Sequence, residues 1–121
     1  MSLVLVVDDS ATVRNDVAGF LQQNGLQVVT AQDGREGLEQ LKRHQGIRLV
    51  ICDVNMPNMD GLTMAEKSRS ELRNSAPIIM LTTESCPKMK ERGKAAGVKG
   101  WIVKPFNGPS TIGAIRKLAS A

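Results

Sequence analysis

Four apolar stretches of this 121-residue chain each stop at a polar side chain capable of chemistry. Leu3-Val4-Leu5-Val6-Val7 runs into Asp8-Asp9, and Leu49-Val50-Ile51-Cys52 runs into Asp53. Ile78-Ile79-Met80-Leu81 runs into Thr82-Thr83, and Trp101-Ile102-Val103 into Lys104. If those ends meet, three carboxylates face one ammonium, a balance that favours a divalent cation. Carboxylate oxygens with water positions left open suit magnesium, which keeps waters for a phosphate to replace, whereas calcium asks for more protein oxygens. A carboxylate is also a nucleophile toward phosphorus, giving an aspartyl phosphate. Such a transfer needs charge neutralisation by a metal, a lysine and a hydroxyl; magnesium, Lys104 and Thr82 fit those roles. Alone, Asp53 reads equally well as a turn cap, but four strands share the pattern. No carboxylate is an obvious base for repeated turnover of an external substrate, and a GxxxxGK[ST] phosphate loop is absent.

The elements that must position these residues follow from periodicity. Apolar runs without alternation suit strands buried on both faces, as in a parallel sheet covered by helices. In open sheets of that kind the crevice at the carboxyl ends of the strands binds ligands. Pro57 stops the central strand from running on past Asp53. Gln27-Val28-Val29-Thr30-Ala31 brings no acid or base to its end and is expected at an edge, away from the site. Ser10 is a good N-cap for a helix with Val13, Val17, Phe20 and Leu21 inward, closed by Gly25. Asp33-Gly34 begins a second helix, with Leu38 and Leu41 inward and Gly46 beyond it. Asp60 can cap a third from near Gly61, with Leu62, Ala65 and Leu72 buried and Asn74 to Pro77 closing it. Gly108-Pro109 opens the last helix, striped by Ile112, Ile115 and Leu118. The fourth helix follows Glu84-Ser85-Cys86-Pro87 and is weakly specified, because Gly93 costs about 1 kcal/mol relative to alanine. It is expected to be the most mobile. Gly97 and Gly100 bracket the approach to the fifth strand. Five strand-then-helix repeats predict an α/β fold with helices on both faces and right-handed crossovers, in one domain over residues 1–121 with no output domain.

Hydrophobic content of 41% and charge of 23% are ordinary for a soluble globular chain. No apolar run approaches a spanning helix, and the first residues form a strand rather than a secretion signal. Cys52 and Cys86 read as isolated thiols, and His44 lies among Lys42, Arg43 and Gln45, so zinc is not expected. A net charge of +4 could suggest nucleic acid, but two phenylalanines, one tryptophan and no tyrosine leave little for base stacking. Lys88, Lys90, Arg92, Lys94 and Lys99 crowd into one stretch, either as a solvated face or as a dock for an acidic partner.

Val-Asp-Asp-Ser at 7–10, Asp-Val-Asn-Met-Pro-Asn-Met-Asp-Gly at 53–61, Leu-Thr-Thr-Glu at 81–84 and Gly-Trp-Ile-Val-Lys-Pro-Phe at 100–106 resemble the receiver domain of two-component response regulators, most nearly the single-domain chemotaxis type. The resemblance implies a flavodoxin-like, doubly wound five-stranded parallel sheet of order 2-1-3-4-5 with five helices. It implies that a sensor histidine kinase phosphorylates Asp53. Asp8 and Asp9 would hold Mg2+ with Asp53 and the backbone carbonyl of Asn55, and Lys104 would contact the phosphoryl group. Thr82 would turn toward a phosphoryl oxygen, and Trp101 stands where the family usually has an aromatic that swings inward with it. An indole donates a hydrogen bond but accepts none, so a tyrosine-like hydroxyl role is not available to Trp101.

By the same resemblance, Asn55 and Glu84 occupy the positions that in this family tune hydrolysis of the phosphoryl group, and the likeness of their identities to the chemotaxis type implies a short-lived phosphoaspartate. Phosphorylation replaces a charge of −1 by about −1.5 to −2, strengthening the pull on Lys104 and giving Thr82 a better acceptor. The surface of helix four, strand five and helix five would then control a downstream target such as the flagellar motor switch. The expected protein is a cytoplasmic monomer without nucleic-acid or membrane partners, catalysing only its own phosphorylation and dephosphorylation. Two other readings compete with this one. A haloacid-dehalogenase-type phosphatase would need an acid two residues after the nucleophile, where Asn55 stands. A phosphorylation-independent interaction module would not need the complete set of acids, hydroxyl and lysine.

Overall fold

The computed structural model describes residues 3–56, 59–83 and 87–120. Strand and helix alternate throughout: β1 (Leu3–Val7), α1 (Ala11–Gln23), β2 (Gln27–Ala31), α2 (Gly34–Arg43), β3 (Ile47–Asp53), α3 (Gly61–Ser70), β4 (Ile78–Thr82), α4 (Pro87–Ala95), β5 (Val98–Val103) and α5 (Gly108–Ser120). All neighbouring strands run parallel, in the order β2-β1-β3-β4-β5. That is the order implied by the resemblance, with β2 at an edge.

Side chains alternate across each strand, so one apolar run feeds two cores. Leu5, Val7, Val50, Cys52, Ile78 and Met80 join Leu41, Leu62, Met64 and Ala65 on the face covered by α2 and α3. Val4, Val6, Leu49, Ile51, Ile79 and Leu81 join Val17, Leu21, Ile115 and Ala119 beneath α1 and α5. Fully burying such a side chain is worth about 1.5–3 kcal/mol, which makes this two-sided coverage the main support of the sheet. Phe20, Val13, Leu38, Leu72, Ile112 and Leu118 pack half-buried at the margins of the two cores.

Three helix starts are capped as their sequences indicate. Ser10 Oγ accepts from the Val13 N–H at 3.3 Å, Asp33 Oδ1 from Glu36 at 2.9 Å and Asp60 Oδ1 from Thr63 at 2.8 Å. Each such cap contributes about 1 kcal/mol. Gly25, with φ of +83°, turns the chain out of α1.

Two features differ from expectation. β5 begins at Val98, so Gly100 lies inside the strand opposite Ile79, where the register shifts. An edge strand is half solvated and tolerates Lys99 and Gly100, which hid its first half from a search for apolar runs. Gly93 is also more than a weak point in α4. A Cβ there would lie 2.8 Å from Trp101 Cζ2 and 3.2 Å from Val98 Cβ, so the missing side chain lets α4 lie close on β5. Among the described residues, no helix is long and apolar enough to cross a membrane.

Candidate functional site

Register brings the reactive strand ends together. Val7 pairs with Cys52, Asp53 with Leu81 and Thr82 with Val103, so Asp8, Asp53, Thr82 and Lys104 emerge at the same carboxyl edge of four adjacent strands. The carboxylates of Asp8, Asp9 and Asp53 each offer an oxygen within 4.8 Å of the others. Lys104 Nζ lies 3.2 Å from Asp53 Oδ1 and 3.4 Å from Asp8 Oδ2. The Lys104 N–H donates to the Thr82 carbonyl at 2.8 Å, tying the start of the β5–α5 connection to β4. The peptide from Lys104 to Pro105 is cis.

The floor of this cluster is dry and its rim is wet. Asp8, Asp53 and Thr82 are 0%, 4% and 1% exposed, while Asp9 and Asn55 are exposed. α3 presses against the floor: a Cβ on Gly61 would collide with the Asp53 carbonyl oxygen, and the Gly61 N–H donates to the Val54 carbonyl at 2.8 Å. Trp101 is half-buried on the α2 and α3 side of the sheet, its ring beside Gly93. Its register partner Met80 is two residues from Thr82, so the Thr82 and Trp101 side chains belong to one face. Glu84, Pro57 and Cys86 lie outside the described residues.

Burial, and then the neighbouring Asp8 carboxylate, push the Asp53 carboxyl up to about 6 against the opposing pull of Lys104. Burial also works against the charge on Lys104, but Asp53 and Asp8 together outweigh it and hold the ammonium above its ordinary range. Burial, reinforced by Asp53, raises the Cys52 thiol well above its usual value, leaving it protonated and unreactive.

The residues present fit a magnesium ion. Asp8 Oδ2 is buried and, among the described residues, makes no hydrogen bond and meets only the Lys104 ammonium at 3.4 Å, an acceptor suited to a cation. The donor set is all carboxylate oxygen, the choice of a hard ion, and the exposed Asp9 leaves one side open to water.

Two sets of side-chain contacts were not legible in the sequence, one at Asp8 and one between α3 and α4. Arg14 Nη1 donates to the Asp8 carbonyl at 2.7 Å. Thr63 Oγ1 bonds Asp60 Oδ2 at 3.0 Å and accepts from Arg92 Nη2 at 3.1 Å, and Arg92 also grips Glu66 at 2.7 and 2.8 Å. The signal for Arg14 was a cation early in α1, the end where the helix dipole disfavours one.

Comparison with known proteins decides the family. The pattern of the response regulator receiver domain matches residues 4–116. The chain belongs to that family. This receiver domain is 41% identical over 105 residues to the chemotaxis protein CheY1 of Helicobacter pylori, covering 85% of each chain. It superposes on the chemotaxis protein CheY4 of Vibrio cholerae with a TM-score of 0.90 at 41% identity, over 98% of both chains. A third relative, the response regulator TrrA of Thermotoga maritima, was solved in complex with Mg(2+)-BeF; its TM-score is 0.85 at 32% identity, covering 98% of this receiver and 99% of TrrA. Receiver domains bind magnesium at an acidic pocket, and the acidic pocket of this receiver is the Asp8, Asp9 and Asp53 cluster.

Proposed function

We propose that Asp53 accepts a phosphoryl group from a sensor histidine kinase, with Mg2+ held by Asp8, Asp9, Asp53 and the Asn55 carbonyl. The modified receiver then switches the α4, β5 and α5 surface to control a target protein. The observation that carries this reading is a buried carboxylate flanked by two more acids and by an ammonium 3.2 Å away. An Asp53 oxygen attacks phosphorus in line with the departing imidazole nitrogen, the O–P bond forming as the P–N bond breaks. Magnesium supplies neutralisation of the phosphoryl oxygens. Lys104, already seated between Asp53 and Asp8, follows the charge outward onto the transferred group. Thr82, at the end of β4, turns its hydroxyl to a phosphoryl oxygen, and Trp101 on the same face moves with it. The receiver is a switch that acts on itself, with Asn55 and Glu84 setting how fast water removes the phosphoryl group.

Exposed Lys88, Lys90, Lys94 and Lys99 around α4 and β5 suit an acidic segment on the target. The kinship with chemotaxis proteins supports an output of that kind, such as a flagellar motor switch, from a cytoplasmic, monomeric receiver.

The test follows Trp101 fluorescence through titration with magnesium and then beryllium fluoride, a phosphoryl mimic, beside mass spectrometry after treatment with acetyl phosphate. Wild type should show a saturable, magnesium-dependent change and gain one phosphoryl group on Asp53, both lost in Asp53→Asn. Addition elsewhere, or none, would sink the proposal. Steady hydrolysis of a small phosphate ester, abolished by Asp53→Asn, would make the protein a phosphatase instead.

A further inference from the structure

Asp8 is held at every polar atom but one. Its N–H donates to the Ala31 carbonyl at 3.1 Å, at the end of β2. Its Oδ1 accepts from the Ser10 N–H at 2.8 Å, and its carbonyl oxygen accepts from Arg14 Nη1 at 2.7 Å. Among the described residues only Oδ2 finds no hydrogen-bond donor, and it faces Lys104. The residue is fully buried, so the direction of that oxygen depends on the three restraints and on the Lys104 ammonium 3.4 Å away rather than on solvent.

Arg14 is the one side chain among these restraints. It lies early in α1, four residues after the Ser10 cap, where its own N–H donates to the Ser10 carbonyl at 2.9 Å. A cation near a helix N-terminus opposes the macrodipole, so the position is a poor one for helix stability alone. Among the described residues its guanidinium joins no ion pair; it is spent on a main-chain oxygen. The side chain folds back over the start of its helix and pins the β1–α1 turn from which both Asp8 and Asp9 project.

We infer that Arg14 is a positioning residue for magnesium: by anchoring the Asp8 carbonyl it fixes the turn that aims Asp8 Oδ2 and Asp9 into the cation site. This rests on the proposed magnesium-dependent function. A competing account, in which Arg14 merely places positive charge beside the acids, predicts the opposite sign. Removing a nearby cation strengthens binding of Mg2+ by relieving repulsion, whereas removing an anchor weakens it. Loss of an outer-shell partner costs about 10- to 100-fold in metal affinity.

The experiment measures magnesium affinity of wild type, Arg14→Gln, Arg14→Lys and Asp8→Asn by Trp101 fluorescence and, independently, by the rise of the urea-unfolding midpoint with added MgCl2. Arg14→Gln should bind magnesium at least about 10-fold more weakly, with its magnesium-free midpoint close to wild type. Its phosphorylation by acetyl phosphate should return to within about twofold of wild type at saturating magnesium, because the anchor acts on affinity. Arg14→Lys, which keeps the charge and loses the planar fork, should fall between the two. If Arg14→Gln does not fold without metal, Arg14→Lys alone decides, by weaker binding or by none. Unchanged or tighter binding by the variants overturns the inference. A wild type that binds no magnesium, like Asp8→Asn, overturns the function on which it rests.

Discussion

Asp53 is a strained residue before any phosphate arrives. Its folded-state value near 6 stands above the 3.8 of an ordinary aspartate because burial and Asp8 disfavour its charge. The sign of the consequence is fixed by linkage. Below pH 3.8 both folded and unfolded chains hold the proton; between 3.8 and 6 only the folded chain does, so stability falls as pH rises through that window. Above it the full cost stands, up to about 3 kcal/mol at 1.36 kcal/mol per pH unit. Asp53→Asn should therefore be more stable than wild type at pH 8 in a chelator and should lack the decline between pH 4 and 6. Urea unfolding at a series of pH values checks this, and a variant less stable than wild type at pH 8 would show that burial and Asp8 do not outweigh the pull of Lys104 on the ionised carboxylate. Magnesium should narrow or reverse the difference, because it stabilises the form of the protein that binds it. Strain of this kind suits a phosphoacceptor: the same crowding of acids that destabilises the empty carboxylate provides the attraction for the metal.

Among the elements, α4 is secured to its neighbours by polar side chains and by a missing one. Arg92 reaches from α4 to Glu66 and Thr63 of α3, while Arg69 of α3 donates to the Ala96 carbonyl at 3.3 Å, just past the end of α4. The Arg69 guanidinium lies against Gly97, whose φ of +93° and crowded surroundings leave no room for a side chain. The Arg92 and Glu66 side chains are each 44% exposed, so their pair is worth less than about 1 kcal/mol in water. Thr63 also bonds Asp60, the cap of α3, so the clasp joins α4 to the helix that presses on the Asp53 carbonyl.

Gly93 gives the sharper prediction. Alanine would gain about 1 kcal/mol of helix propensity, but its methyl would meet the rigid Trp101 ring at 2.8 Å, and overpacking of that kind costs about 1–3 kcal/mol. The net effect of Gly93→Ala should be a loss of about 1 kcal/mol in stability together with altered Trp101 emission. A stabilised variant with unchanged emission would mean that α4 shifts freely on β5. Sequence reasoning treated this glycine as a cost to the helix alone, because a ring arriving from a neighbouring strand leaves no mark on helical periodicity.

Over the whole molecule, chemistry and charge are placed apart. The acids and Lys104 share the carboxyl edge of the sheet, while Lys88, Lys90, Lys94 and Lys99 are exposed around α4 and β5. If the proposed docking surface is right, reversing Lys88, Lys90 and Lys94 to glutamate should leave phosphorylation by acetyl phosphate within about twofold of wild type while abolishing capture of an acidic target, since rim charges act on association. Equal loss of both would join the patch to the site itself.

The sequence by itself determined what acts locally or by composition. Apolar runs long enough to be buried on both faces, caps at Ser10, Asp33 and Asp60, and an acid, hydroxyl or lysine at four strand ends are all legible because each depends on neighbours within a turn or a strand. The chemistry of the acids, Thr82 and Lys104 followed from their residue types, whereas the strand order and the finer roles of Asn55, Glu84 and Trp101 came from resemblance, since periodicity carries no information about which strands become neighbours. Only the tertiary structure decided that Asp8 Oδ2 would be left without a hydrogen bond beside Lys104, that Arg14 would turn back onto Asp8, and that Gly93 would lie against Trp101. The contacts of Asp8 with Lys104 and of Gly93 with Trp101 join different elements, and Arg14 reaches back past the start of its own helix to the residue that follows β1. All depend on distance and direction in the packed molecule, which no local pattern of residues encodes.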